Sequence, residues 1–202
     1  MTFPSPSHIT QRQQLRQQGR QARRAISPAQ RRLGTRAINR RLLNRLRRYH
    51  RIGLYWHFDG EPDLFHCLLA LTQLGKQLYL PTLSKAGKMH FIHSHSLNQA
   101  RFNRFGILEP GRQAKRISSK RLQAIVMPLS AYDANGKRLG MGAGFYDKNL
   151  DWQRQRRQWR GPALIGCAWR VQQVANIPSE HWDRPLDALI NEQQRLEFRK
   201  TR

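Results

Sequence analysis

The sequence predicts an α/β protein: a three-layer α/β/α fold with a largely parallel, Rossmann-like central sheet. Short apolar runs that read as buried strands recur at 52–58, 77–80, 122–127 and 163–168. Helical patterning lies between them, and such alternation is the signature of a parallel sheet covered on both faces. No repeat or linker interrupts the order. Residues 1–202 therefore read as one domain, with a basic helical segment, 1–50, packing on the α/β body.

Taken in order, Thr10 with Gln13 reads as a capping box opening a helix to about Ala25, with Leu15, Ala22 and Ile26 on its apolar side. Ser27-Pro28 joins an N-cap to a proline at the first helical position, and Gln30 completes a second box. The helix it opens carries Leu33, Ala37, Leu42 and Leu46 as a core-facing stripe, with Ile38 and Leu43 alongside. Residues 52–58 read as a buried strand and 59–62 as a turn. Residues 64–74 form a helix stopped by Gly75. A strand at 77–80 ends at Pro81, and 89–95 follows as another strand after the turn at 85–88. Between the strands 122–127 and 163–168 lie an Asn135-Gly136 turn, a glycine-rich loop and a polar helix to about Arg160. Residues 186–190 give a last short strand.

The 202 residues are 39% hydrophobic with five Trp, too apolar for a disordered basic tail. No apolar run approaches the ~20 residues of a bilayer span, and the N-terminus lacks a signal-peptide core. Cys67 and Cys167 suit a reducing compartment better than a disulfide framework. A cytoplasmic monomer without membrane contact is expected. The net charge is +25, and arginine outnumbers lysine 29 to 8. Residues 1–51 hold fourteen Arg and no acid, the first acid being Asp59. Guanidinium forks suit phosphate oxygens. A nucleic-acid arm, a transit peptide, or a cationic face for a small polyanion would each account for this segment.

The stretch Arg138-Leu139-Gly140-Met141-Gly142-Ala143-Gly144-Phe145-Tyr146-Asp147 is the most informative. Alternate glycines let an anion approach backbone N–H groups, and the following helix would aim its positive end at it. Arg138 supplies a charged fork, and Asp147 an oxygen ligand for a hard cation. That combination is what a nucleoside triphosphate with magnesium requires. It is neither a Walker A loop nor a dinucleotide fingerprint. A glycine-rich structural turn is the plainer reading.

With Met127-Pro128-Leu129-Ser130-Ala131-Tyr132-Asp133 ahead of it, this stretch resembles the signature of 5-formyltetrahydrofolate cyclo-ligases, also called methenyltetrahydrofolate synthetases. The resemblance extends over nearly the whole chain. Arg12-x-x-Leu15-Arg16 resembles the family's N-terminal basic motif, with Arg12 where Lys is common. Phe58 to Asp63 resembles its strand-end Glu segment, and Leu80-Pro81 its Leu-Pro strand end. Gly106-Ile107-Leu108-Glu109-Pro110 and the pair Asp183 and Asp187 complete the series in order. Met141 and Ala143 stand where some members carry basic residues.

The resemblance implies ATP- and Mg2+-dependent closure of 5-formyltetrahydrofolate to 5,10-methenyltetrahydrofolate, with ADP and phosphate released. Phosphorylating the formyl oxygen makes a good leaving group, and the folate's own nitrogen-10 then attacks. No protein nucleophile is required, so no catalytic residue is named. By resemblance, Arg138 through Tyr146 (Leu139, Gly140, Met141, Gly142, Ala143, Gly144 and Phe145 included) would cradle ATP, with Arg12 and Arg16 reaching in. Asp147 and Asp183 would hold magnesium. Trp56, Glu61 and Met141 to Phe145 would line the folate side.

Plainer roles compete with several of these. Asp63 reads best as a helix cap. Trp56 divides between core and site, and Asp183 can be a turn residue. His90, His93 and His95 lack a third convincing metal ligand and read as solvent-facing strand residues. Residues 153–160 and 40–48 supply further arginines on solvated helix faces, among them Arg40, Arg41, Arg47 and Arg48. The alternative function is a basic nucleic-acid-binding protein on the same fold, although no Arg-Gly-Gly repeat, zinc-finger spacing or RNP-type strand is present.

Overall fold

The computed structural model describes residues 6–84, 87–94, 101–102, 108–109, 116–152, 161–178, 180 and 183–198. Helix α1 (Pro6–Arg24) begins earlier than predicted, so Thr10 sits in its second turn and is not its N-cap. Helix α2 (Pro28–Leu46) opens with the expected reciprocal box. Gln30 N–H donates to Ser27 Oγ at 3.3 Å, and Ser27 N–H to Gln30 Oε1 at 3.2 Å. Its buried face is rotated from the predicted stripe. Ile38, Leu42 and Leu46 are buried, but Leu33 is 68% exposed. Gly34 gives the reason: a Cβ there would meet the Trp169 ring at 2.6 Å. The helix turns its bare backbone to that ring, which leaves Leu33 in solvent.

Strand β1 (Arg51–Gly53) is three residues long where seven were expected. Leu54 N–H still donates to Tyr79 O at 2.8 Å, but the chain then leaves the sheet. Asp59 and Gly60, at φ +51° and +77°, turn it back, and Tyr55 Oη donates to Pro62 O. Helix α3 (Phe65–Gln73) is followed by Gly75 at φ +69°, close to prediction. The N-cap is Leu64, without a side-chain cap, and Asp63, one residue earlier than the cap position, accepts the Phe65 N–H on its Oδ1 at 2.9 Å. Strand β2 (Gln77–Leu83) runs through Pro81 instead of ending there. β1 reaches only as far as Tyr79 in the register, so Pro81 owes no donor on that side.

Strand β3 (Met89–His93) pairs antiparallel with β2, and the His93 and Tyr79 rings meet in a T-shaped pair with centroids 5.0 Å apart. His95 lies outside the described residues. The pair β4 (Arg101–Phe102) and β5 (Leu108–Glu109) covers part of the Gly106–Pro110 motif, whose other residues also lie outside them. Strand β6 (Arg116–Ile117) precedes β7 (Ala124–Pro128), and β8 (Ala131–Tyr132) pairs with β9 (Arg138–Leu139). Helix α4 (Phe145–Leu150) follows; positions 153–160 of the predicted polar helix are outside the described residues. Strands β10 (Ala163–Cys167), β11 (Ala188–Ile190) and β12 (Arg195–Glu197) finish the chain.

The main sheet has the order β12-β11-β10-β7-β1-β2-β3-β6. The five strands from β11 to β2 are mutually parallel, while β12, β3 and β6 add antiparallel edges. Alternation along β7 shows the layering. Ala124 and Val126 join the cluster under α2 and α3, whereas Ile125 and Met127 join the one under Leu150 of α4. No described helix is long and apolar enough to cross a membrane. From β1 the chain goes to β2 on one side and later to β7 on the other. The strand order therefore reverses between β1 and β7, where α/β sheets open a crevice beyond their C-terminal ends.

Candidate active site

The loops leaving β1 and β9 meet at that crevice, and α1 lies across them. Gly19 makes this possible: a Cβ there would sit 1.9 Å from Ser130 O. With backbone against backbone, Arg12, Arg16 and Arg23 reach down from the same side of the helix, at spacings of four and seven.

A cavity of about 570 Å³ is bordered by Arg12, Arg16, Arg138, Gly140, Gly142, Ala143, Gly144, Asp147 and Asp183. Nine of the residues singled out from the sequence thus come together at one place. Ile9, Lys148, Asp151 and Glu180 also border it and were not anticipated. Arg12 forks onto Asp183 at 2.6 and 3.1 Å and donates to Pro178 O. Arg16 Nε donates to Gly140 O at 3.1 Å. Burial, and then neighbouring Arg12, lower the Arg16 pKa from its ordinary value. Arg138 is nearly buried and donates to Asp147 Oδ1 at 2.7 Å, while its Nε has no partner. Gly142 and Gly144 take φ +111° and +65°, which L side chains rarely adopt, and Gly144 caps α4.

Both aspartates expected to hold metal are thus ion-paired with arginines rather than standing alone. Four cations (Arg12, Arg16, Arg138, Lys148) face four carboxylates (Asp147, Asp151, Glu180, Asp183) around one cavity. Among the described residues no three His, Cys, Asp or Glu converge into a cage. Magnesium needs none, since it takes one or two carboxylates beside phosphates and water. Glu180 borders the same cavity as Asp147 and Asp183, and its buried Oε1 accepts no hydrogen bond, lying 3.9 Å from His8 Nδ1. The donor set fits a hard cation.

Four positions of the predicted ATP loop stand apart from the cavity, as do Trp56 and Glu61. Leu139 is wholly buried against Ala131 and Ile177, because β9 turns it into the core; only its backbone faces the loop. Phe145 and Tyr146 pack on the core beneath the loop, and burial followed by the Glu61 carboxylate raises the Tyr146 phenol pKa. Met141 is exposed, with its sulfur 3.8 Å from both Arg23 and Ser130 Oγ.

Below Met141 lies a second group. Arg23, 0% exposed, donates to Asp59 O at 2.7 Å and Asp59 Oδ2 at 2.9 Å, and stands 3.7 Å from Glu61 Oε1. Asp59 also receives Arg20 and Arg24. Burial raises its pKa, but the Arg24 and Arg23 guanidiniums outweigh that and hold it below its ordinary value. Glu61 is buried, with Oε2 accepting the Phe58 N–H at 3.1 Å. Burial pushes its pKa up from 4.5 to about 7 against the pull of Arg23. Trp56 is half-buried against the core and stacks with His57 at 6.1 Å. His57 in turn pairs with Asp63 at 3.2 Å. Sequence reasoning missed Arg23. Its one signal was that Asp59 is the first acid after fourteen arginines.

The family model described as the 5-formyltetrahydrofolate cyclo-ligase family matches residues 8–192. A 5-formyltetrahydrofolate cyclo-ligase of Haemophilus influenzae is 34% identical over 187 residues, 89% of this chain and 97% of the relative. One of Escherichia coli K12 is 36% identical over 177 residues, 85% of this chain and 94% of the relative. The solved structure of Aquifex aeolicus 5,10-methenyltetrahydrofolate synthetase superposes with a TM-score of 0.79 at 27% identity, covering 95% of this chain and 94% of that one.

Proposed function

The chain belongs to the 5-formyltetrahydrofolate cyclo-ligase family, and from that premise we propose that it closes 5-formyltetrahydrofolate to 5,10-methenyltetrahydrofolate using ATP and magnesium. The observation that carries this reading is the balanced set of four cations and four carboxylates around one cavity, beside the glycine loop. Bare ATP would meet repulsion from the carboxylates, and a bare cation would meet the arginines. A magnesium–nucleotide complex satisfies both sets.

In this reading Arg12, Arg16 and Arg138 take phosphate oxygens, and backbone N–H groups between Gly140 and Gly144 take the rest. Asp147 and Asp183 would hold magnesium, which supplies charge neutralisation at the transferring phosphoryl group. Glu61, with Trp56 and the loop from Met141 to Phe145, lines the folate side and accepts from the pterin N–H edge. The formyl oxygen attacks the γ-phosphorus as the bond to ADP breaks. Nitrogen-10 then attacks the formyl carbon, phosphate leaves, and the nitrogen-10 proton passes to solvent. The chain's task is alignment and exclusion of water, not covalent catalysis. Two buried free thiols, Cys67 and Cys167, with pKa values pushed up by burial to about 12, favour a reducing cytoplasmic setting.

Incubating the protein with (6S)-5-formyltetrahydrofolate, ATP and magnesium tests the proposal. Methenyltetrahydrofolate should appear by its absorbance with stoichiometric ADP and phosphate. Turnover without ATP, or none with all three present, refutes it.

A further inference from the structure

The fourteen arginines of residues 1–51 divide sharply by what they touch. Arg12 and Arg16 border the cavity, and Arg20, Arg23 and Arg24 close on Asp59. Arg31, Arg41 and Arg51 donate to backbone carbonyls. Arg45 pairs with Glu197, and Arg48 lies over the Tyr49 ring. Arg32, Arg36, Arg40 and Arg47 are left, all exposed, with no ion pair or hydrogen bond among the described residues. Arg41, expected on the solvated face, is instead tied to Glu192 O and Gln193 O.

At 3.6 residues per turn the four project within an arc of about 80°, away from the buried Gly34, Ile38, Leu42 and Leu46. Their stripe runs about 22 Å along α2 and its first following residue, at 1.5 Å per residue. No acid lies in either of the first two helices. Like charges four residues apart repel and weaken a helix, so this row stands against local stability unless an anion neutralises it. None of the four borders the cavity, so the proposed ATP site does not account for them.

We propose that the outer face of α2 binds the phosphodiester backbone of double-helical nucleic acid, independently of sequence. A row of guanidiniums along one helix face suits an extended phosphate array, and a duplex presents a charge about every 1.7 Å of its axis. Arginine forks suit phosphate, and the stripe contains no aromatic ring on which unpaired bases would stack. Phosphate contacts alone carry no sequence information. This inference is independent of the proposed folate chemistry.

Fluorescence anisotropy with labelled mixed-sequence duplexes of about 20 base pairs, one of DNA and one of RNA, tests it across a salt series. The variant is R32Q/R36Q/R40Q/R47Q. A control of equal charge change, K88Q/R116Q/K120Q/R121Q, sits at the opposite sheet edge by β3 and β6. Wild type should bind at least one duplex, and the α2 variant should bind ~10-fold more weakly or worse at low salt. The slope of log K against log salt should flatten by about 3.6, or 0.9 for each of four contacts. The control should keep most of the affinity, and the α2 variant should melt no lower than wild type, since it relieves the like-charge repulsion. Equal losses in both variants would mean a diffuse field and overturn the proposal. So would no duplex binding by wild type, or stronger α2-dependent binding to phosphatidylglycerol vesicles or to single strands.

Discussion

Replacing Glu61 by glutamine should make the protein more stable at pH 8 and less able to bind folate. Burial raises the carboxyl pKa from 4.5 to about 7, so the folded state holds the proton more tightly than the unfolded chain. Glu61 therefore contributes its full stability below about pH 4.5. That contribution declines as pH rises to about 7 and is flat above, because beyond 7 both states are ionised and the folded one still bears a desolvated charge. A shift of about 2.5 units at 1.36 kcal/mol each gives roughly 3 kcal/mol lost across the window. Glutamine keeps the shape and an acceptor for the Phe58 N–H but carries no charge. It also forgoes the attraction of Arg23 at 3.7 Å, so the net gain at pH 8 should be about 1–3 kcal/mol. Urea unfolding followed by Trp fluorescence at pH 5, 6, 7 and 8 measures it. The pKa of His57 is also raised, chiefly by its hydrogen bond to Asp63, so wild-type stability alone mixes two groups. The difference between variant and wild type cancels the Asp63 part of that shift and leaves Glu61 with its own coupling to His57. It should grow from pH 5 to 7 and then level. A pH-independent difference, or a variant less stable throughout, refutes the argument. The folate Michaelis constant should rise at least tenfold with that for ATP nearly unchanged.

Gly19→Ala should lift α1 off Ser130 O, lower the melting temperature by several degrees and weaken ATP binding, as calorimetry and nucleotide titration would show. Asp147→Asn and Asp183→Asn should each cut turnover by two orders of magnitude or more and weaken manganese binding read by electron paramagnetic resonance. Each should also cost about 1–3 kcal/mol in urea melts, since each leaves an arginine partner short of a charge. Arg12→Ala or Arg16→Ala should raise the apparent constant for ATP about ten- to hundred-fold, whereas neutralising Arg32, Arg36, Arg40 and Arg47 leaves it unchanged in steady-state assays.

The parts legible in the sequence were those set by local chemistry. Ser27, Pro28 and Gln30 encode a cap within four residues, and the glycine loop encodes its positive-φ backbone in its own composition. Strand lengths were not legible, because apolar residues continue past the sheet. Tyr55 is nearly as buried as Ile52, yet the turn at Asp59 draws the chain away from β-pairing after Leu54. Leu33 misled because the helix face is chosen by a glycine that must meet Trp169, a partner 135 positions on. Arg23 was invisible for the same reason: its setting is assembled from Asp59, Leu129 and Met141. Residues that bind by contact with distant segments leave little trace beside themselves, whereas backbone-shaping residues announce themselves.

The clamp of α1 over the crevice has a consequence for biosynthesis. The C-terminal half of the helix meets Asp59 within 39 residues, but the groups that seat its N-terminal half come late: Gly140 lies 124 residues after Arg16, and Asp183 171 residues after Arg12. At about 5–20 residues per second Arg12 waits roughly 9 to 34 seconds for its partner to be translated. A chain that stalls short of Asp183 therefore carries a phosphate-binding helix pinned at Asp59 but loose at Arg12, on a sheet that still lacks β11 and β12.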